Sequence, residues 1–161
     1  MATRLDDDLQ LSPIGGKPRA LSDWLTTFHL ASVVVDPYTN ESSWILDTAV
    51  RILEEFRGSQ ARVNFVVTAD QRDAERFLGP LTERFLVFCD PDRGFVRATG
   101  LTKLPAFVLV RVDGEVAASA EGWSPRQWET VAETIAAAAN WNVPTIPAPG
   151  DPAPFAGTDA G

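Results

Sequence analysis

Two short apolar runs constrain this chain more than anything else in it: Val33–Val35 in "ASVVVDP", and "ARVNFVVT" at residues 61–68. Both are rich in β-branched residues and nearly unbroken by polar positions, the pattern of strands covered on both faces. Each gives way to a polar loop and then to apolar residues at helical spacing. After the first run, the spacing predicts a helix from Trp44 to Phe56. Its apolar face is Ile45, Leu46, Ala49, Val50, Ile52, Leu53 and Phe56, its outer face Asp47, Arg51, Glu54 and Glu55, and its stop Gly58. After the second, Asp70 is placed to cap a helix carrying Ala74, Phe77 and Leu78. Buried strands alternating with amphipathic helices imply crossover units, and so a parallel core of sheet between helical layers.

The remainder extends that scheme. "FLVFCD" reads as a further strand, and "DRGFVRATG" as a short helix closing on Gly100. "PAFVLVRVDGEVAASA" is a hairpin turning at Asp113-Gly114. Ser124-Pro125-Arg126-Gln127 opens a last helix that buries Trp128, Val131, Ala132, Ile135 and Ala139. The hairpin adds antiparallel edges, so the fold class is α/β with a mixed central sheet flanked by helices. Residues 1–18 read as a flexible lead-in with a turn at "GGKP", after which Ser22 and Asp23 cap a short helix to about Phe28. Beyond Asn140 the chain holds five prolines and few core formers. The expected organisation is therefore a domain over 19–140 and a Pro-rich mobile tail over 141–161.

Composition narrows the partners. A net charge of -8 with scattered arginines and no basic run excludes a phosphate-backbone binder. Nothing approaches the ~20 apolar residues that span a bilayer. The opening "MATRLDDDLQ" is charged and has no apolar core, so a cytoplasmic location is expected. Cys89 is the single cysteine, which leaves no intramolecular disulfide.

The segment "GLTKLPAFVLVRVDGEVAASAEGWSPRQW" resembles the thioredoxin superfamily where a short helix leads through a cis-proline into the terminal hairpin and helix. Pro105 stands at the cis-proline position, preceded by Leu104, and Gly122 where a glycine often precedes the last helix. The long spacer and the "GGKPRALSDWL" lead-in are similar to the TlpA-like and peroxiredoxin-like branch, and the resemblance covers about residues 15–140. It implies a thioredoxin-like fold with Asp36 at the place of a buried acid. The catalytic motif does not carry over: Ser42 and Ile45 stand where a Cys-x-x-Cys would be. In the peroxiredoxin alignment, Thr39-Asn40-Glu41-Ser42 puts serine at the peroxidatic position. Dithiol exchange needs an attacking thiolate and a resolving thiol, and a hydroxyl supplies neither. Redox turnover of the family type is therefore expected to be absent.

Other chemistry finds little support. A nucleophilic Ser42 lacks a Gly-x-Ser-x-Gly elbow, and His29 is the sole histidine, so Ser42 reads as a helix cap. Asp36, Glu41 and Asp47 read as solvated charges rather than a metal site. Cys89 ends an apolar run and reads as structural, the rival being a one-cysteine thiol protein working with an external thiol. The resemblance implies a backbone groove beside Leu104 and Pro105 in which an extended chain pairs by strand addition. Trp44 and Trp123 are candidate surface anchors. The expectation is a non-enzymatic, cofactor-free accessory, assembly factor or chaperone, for which thioredoxin-like chaperones without a Cys-x-x-Cys, such as those of hydrogenase maturation, are a precedent. It would bind another protein through Asn40, Glu41, Ser42, Ser43, Trp44, Leu104, Pro105 and Trp123. A homodimer is compatible with this reading.

Overall fold

The computed structural model describes residues 3–161; positions 1 and 2 of the expected lead-in lie outside the described residues. Three parallel strands form the centre: β4 (His29–Val35), β5 (Ala61–Val67) and β6 (Leu86–Cys89). The hairpin strands β8 (Ala106–Val110) and β9 (Glu115–Glu121) join antiparallel beside β4. Three short strands complete the edges: β1 (Thr3–Arg4) on β9, and β2 (Gln10–Pro13) on β6 with β3 (Arg19–Ala20) outside it. The eight-stranded order is β1-β9-β8-β4-β5-β6-β2-β3.

Side-chain alternation divides the interior into two cores. Val33, Val35, Phe65, Val67, Phe107 and Leu109 face one side, packed by helices α3 (Leu46–Glu55), α4 (Gln71–Leu78), the short α5 (Leu81–Arg84) and α7 (Pro125–Ala139). Val34, Val66, Ala106 and Val108 face the other, with α1 (Leu21–Trp24), α6 (Gly94–Thr99) and the lead-in residues Leu5 and Leu11. Burying a side chain such as Ile52 or Phe65 stabilises the fold by roughly 1.5–3 kcal/mol each. The hairpin turns at Gly114, whose amide donates to the Arg111 carbonyl. Asp70 caps α4, accepting from the Asp73 amide at 2.9 Å, and α6 closes on Gly100.

Four local expectations are corrected. The lead-in is not a loose segment: Ser12 and Pro13 pair with Cys89 and Phe88, and Leu5 and Leu11 are buried. An exposed β6 edge would leave backbone groups unpaired, and β2 covers it. The α1 helix ends at Trp24, with Ala20 rather than Ser22 at its N-cap. The helix expected from Trp44 to Phe56 is α3, which starts two residues later at Leu46; Trp44 instead ends a separate short helix, α2 (Asn40–Trp44), on the other side of the buried Ile45. Finally, residues 141–161 do not hang free. Trp141 donates to the Glu55 carbonyl at 2.6 Å, Ile146 is buried against the first core, and β10 (Thr158–Asp159) pairs antiparallel with β7 (Lys103–Leu104).

Candidate functional site

The site lies where β4 ends. Beyond Val35 the chain turns through Asp36 and Pro37 into α2. Ser42 is buried there, and its Oγ accepts the Asp36 backbone amide at 2.9 Å. The Thr39 hydroxyl lies 3.1 Å from the Asp36 carbonyl and 3.3 Å from Ser42 Oγ. Ser42 is therefore a tie between helix and strand, not the N-cap expected for it, because α2 starts two residues earlier at Asn40. Asp36 is buried, as the resemblance implied, and is not the solvated charge that the loop carboxylates suggested. It is 5% exposed, pairs with Arg93 at 3.2 Å, and accepts the Tyr38 amide at 3.0 Å. Glu41 is half-buried, while Asn40 and Ser43 are exposed. Ser43 donates to the Asn40 carbonyl at 2.7 Å.

Opposite this tip stand Leu104 and Pro105, whose peptide bond is cis. Both are buried. Glu121 organises the approach to them: its carboxylate accepts from the Lys103 amide at 2.7 Å and the Thr102 hydroxyl at 2.9 Å, and from the Thr102 amide. The outer edge of this short segment is the backbone at which an incoming chain was expected to pair. It is occupied by the chain's own tail. Thr158 stands opposite Leu104 and Asp159 opposite Lys103, and the Ala160 amide donates to the Thr102 carbonyl at 2.9 Å. Lys103 pairs with Asp159 and holds that carboxyl below the usual range. Arg93, already on Asp36, donates to the Ala160 carbonyl as well.

Two glycines make this approach feasible. Gly122 has φ +67, and a Cβ there would sit 2.5 Å from the carbonyl oxygens of both Phe155 and Ala156. Gly157 has φ +85, and its Cβ would lie 2.7 Å from the Leu104 carbonyl oxygen. Backbone packs on backbone at both points, with no room for a side chain.

The tail also decides the fate of the two tryptophans. Trp123, expected at the surface, is fully buried. Its indole donates to the Pro152 carbonyl at 2.7 Å, and its backbone exchanges hydrogen bonds with Phe155 at 2.8 and 3.0 Å. Trp44 is 55% exposed and meets the Phe155 ring edge-on at 5.5 Å. The tail's near end is fixed by Asp151, which pairs with Arg51 at 2.9 Å and accepts from Thr48 at 2.8 Å and the Ala148 amide at 2.7 Å. The sequence reading missed Arg93, Lys103, Glu121, Asp151 and Phe155. The visible signal was the "PFAGTD" motif, an aromatic, a glycine and a β-branched residue inside an otherwise proline-rich stretch.

Cys89 lies at the end of β6, half-buried. Burial, with Asp70 and Glu75 nearby, pushes its thiol up to about 11. Only about one molecule in ten thousand then carries a thiolate at pH 7, against a few per cent for a free cysteine. His29 is a structural acceptor, with Nδ1 3.1 Å from the Val112 amide. Among the described residues no group of three His, Cys, Asp or Glu side chains is placed to hold a metal ion, and no helix is long and apolar enough to cross a membrane.

Comparison with known proteins gives the fold its place. A protein described as a DsbE thiol:disulfide interchange protein from Chlorobium tepidum superposes with a TM-score of 0.68 at 20% identity, covering 86% of this chain and 99% of its own. A secreted Mycobacterium tuberculosis disulfide oxidoreductase homologous to E. coli DsbE reaches 0.60 at 16% identity, covering 81% and 96%. Xanthomonas campestris peroxiredoxin Q reaches 0.65 at 18% identity, covering 84% and 94%. No family model and no curated protein matches the sequence. These likenesses show the fold, which is thioredoxin-like.

Proposed function

We propose that this thioredoxin-like chain is a redox-inactive accessory protein that binds another polypeptide at the junction of α2 and β7. The observation that carries the reading is the pairing of an extended strand with Leu104 beside a helix tip that holds a serine. Thiol–disulfide exchange needs a thiolate at such a tip. Here the corresponding hydroxyl is buried and committed to the Asp36 amide. The groove nevertheless keeps its capacity for main-chain hydrogen bonding, since the tail uses it. Trp44 offers a large exposed ring beside that groove, with Asn40 and Ser43 as polar neighbours. Strand addition with an aromatic anchor is a recurrent way to hold a peptide without chemistry.

Two measurements test this. Purified protein should neither reduce insulin disulfides nor consume peroxide with dithiothreitol as the donor. In cells of the native organism, a photo-crosslinking residue in place of Trp44 should trap a discrete protein that the same probe at Gln60, the residue before β5, does not. Turnover that disappears in Cys89→Ser would transfer the function to a one-cysteine enzyme. Identical adducts from both positions would end the accessory reading.

A further inference from the structure

The tail is built in two parts that are held very differently. Its near part is locked by Asp151, whose carboxylate is 6% exposed and satisfied by Arg51, Thr48 and the Ala148 amide. Its far part, from Pro152 onward, has only the Trp123–Phe155 bridge and the two-residue β10–β7 ladder as regular pairing. Ala153, Pro154, Ala156 and Asp159 are exposed along it. Ordering such a segment costs backbone entropy at every residue, with Gly157 the most expensive. The two-residue ladder and the four exposed positions favour local opening, against which Phe155 packs on the first core and Ala160 is buried in the second.

Resting on the polypeptide-binding reading above, we propose that residues 152–160 are an intramolecular occupant of the partner's groove, and that the partner donates a strand of the same pattern. The pattern follows from the contacts. An aromatic residue meets Trp44 as Phe155 does. Two positions on, a glycine is required, because any Cβ at Gly157 meets the Leu104 carbonyl. A small or β-branched residue follows opposite Leu104, and then a carboxylate opposite Lys103. Arg93 closes the far end on a main-chain carbonyl. The occupant is thus an extended segment of aromatic-x-Gly-Thr-acidic type from another protein. Asp151 keeps the displaced tail tethered, so that it rebinds when the partner leaves.

A covalently attached segment competes at millimolar effective concentration. A free peptide must therefore bind poorly until the tail is weakened, since apparent affinity scales with the open fraction. The probe is a fluorescent peptide of residues 152–160, added to the full-length chain. Binding to the wild type should be weak, and Gly157→Val in the protein should strengthen it at least tenfold. The same Gly→Val change in the peptide should abolish binding. Lys103→Glu in the Gly157→Val background should weaken it, and a peptide with Lys in place of Asp should restore it. Hydrogen exchange on the wild type gives an independent readout: the amides of Phe155 and Ala160 should exchange at least a hundredfold faster than those of Val66 and Val108. Equal protection at these positions, or a folded Gly157→Val protein that gains no peptide affinity, overturns the proposal. So does a concentration-dependent dimer that excludes the peptide, since the occupant would then be a second copy of this chain. These outcomes are separate from the redox and crosslinking tests, because peptide affinity can fail while Trp44 still traps a partner.

Discussion

The hydroxyl of Ser42 accepts the backbone amide of Asp36 at 2.9 Å, so the residue at the tip of α2 is spent on holding the helix to the end of β4. Replacing it with alanine leaves a buried amide without a partner, which costs about 2 kcal/mol. For a chain of this size that corresponds to a fall in melting temperature of about 4–8 °C. Ser42→Cys should fold and remain unable to reduce insulin, because no second thiol stands at Ile45 to resolve a mixed disulfide. Differential scanning calorimetry and the insulin assay check the two halves of this expectation.

Cys89 should be slow to alkylate in the folded protein. With its thiol pushed up to about 11, the thiolate fraction at pH 7 is about a hundredfold or more below that of an unfolded cysteine. Iodoacetamide kinetics should therefore rise about tenfold per pH unit towards pH 11, and jump on adding denaturant. The same shift has a sign for stability. The folded state holds the proton more tightly than the unfolded state, so the contribution is intact below about pH 9 and is lost as pH climbs towards 11. Cys89→Ala should remove that alkaline slope from a urea-melt series.

Asp151→Ala should release the near part of the tail while leaving the sheet intact. It removes a nearly buried carboxylate from Arg51, Thr48 and the Ala148 amide. A loss of about 2 kcal/mol in the closed state raises the open population about thirtyfold. Limited proteolysis between residues 142 and 155 should accelerate by that factor, with little change in the far-ultraviolet circular dichroism.

Trp44 and Trp123 should respond to the same truncation to very different degrees. Trp44→Ala removes an exposed ring and one edge-on contact, about 1 kcal/mol. Trp123→Ala empties a fully buried site against Trp128 and the tail, at a cost of about 3–5 kcal/mol. Chemical denaturation midpoints separate the two. The Trp44 variant should stay within about 1 kcal/mol of the wild type, and the Trp123 variant should lose several times that.

Much of the scaffold could be read from neighbours in the chain. Val33, Val34 and Val35 alternate between the two cores as a doubly covered strand must. Asp70 and Ser124 cap the helices that follow them, because a cap is a contact within four residues. The meeting of these segments was also legible, since Asn40–Trp44 follows β4, Leu104 precedes β8, and antiparallel pairing sets the end of β4 beside the start of β8.

What occupies that place was not legible. Thr158 reaches Leu104 across 54 positions of sequence, and Trp123 is buried by a carbonyl 29 positions away. In both the acceptor is a backbone carbonyl, which every residue carries alike and which leaves no mark in a side-chain pattern. A proline-rich composition then reads as tail, and a tryptophan before a helix reads as surface. Local periodicity is enough to specify strands, helices and caps, because those depend on side chains a few residues apart. The partner of an open strand edge is chosen only when distant backbones meet, and that meeting is a property of the folded chain.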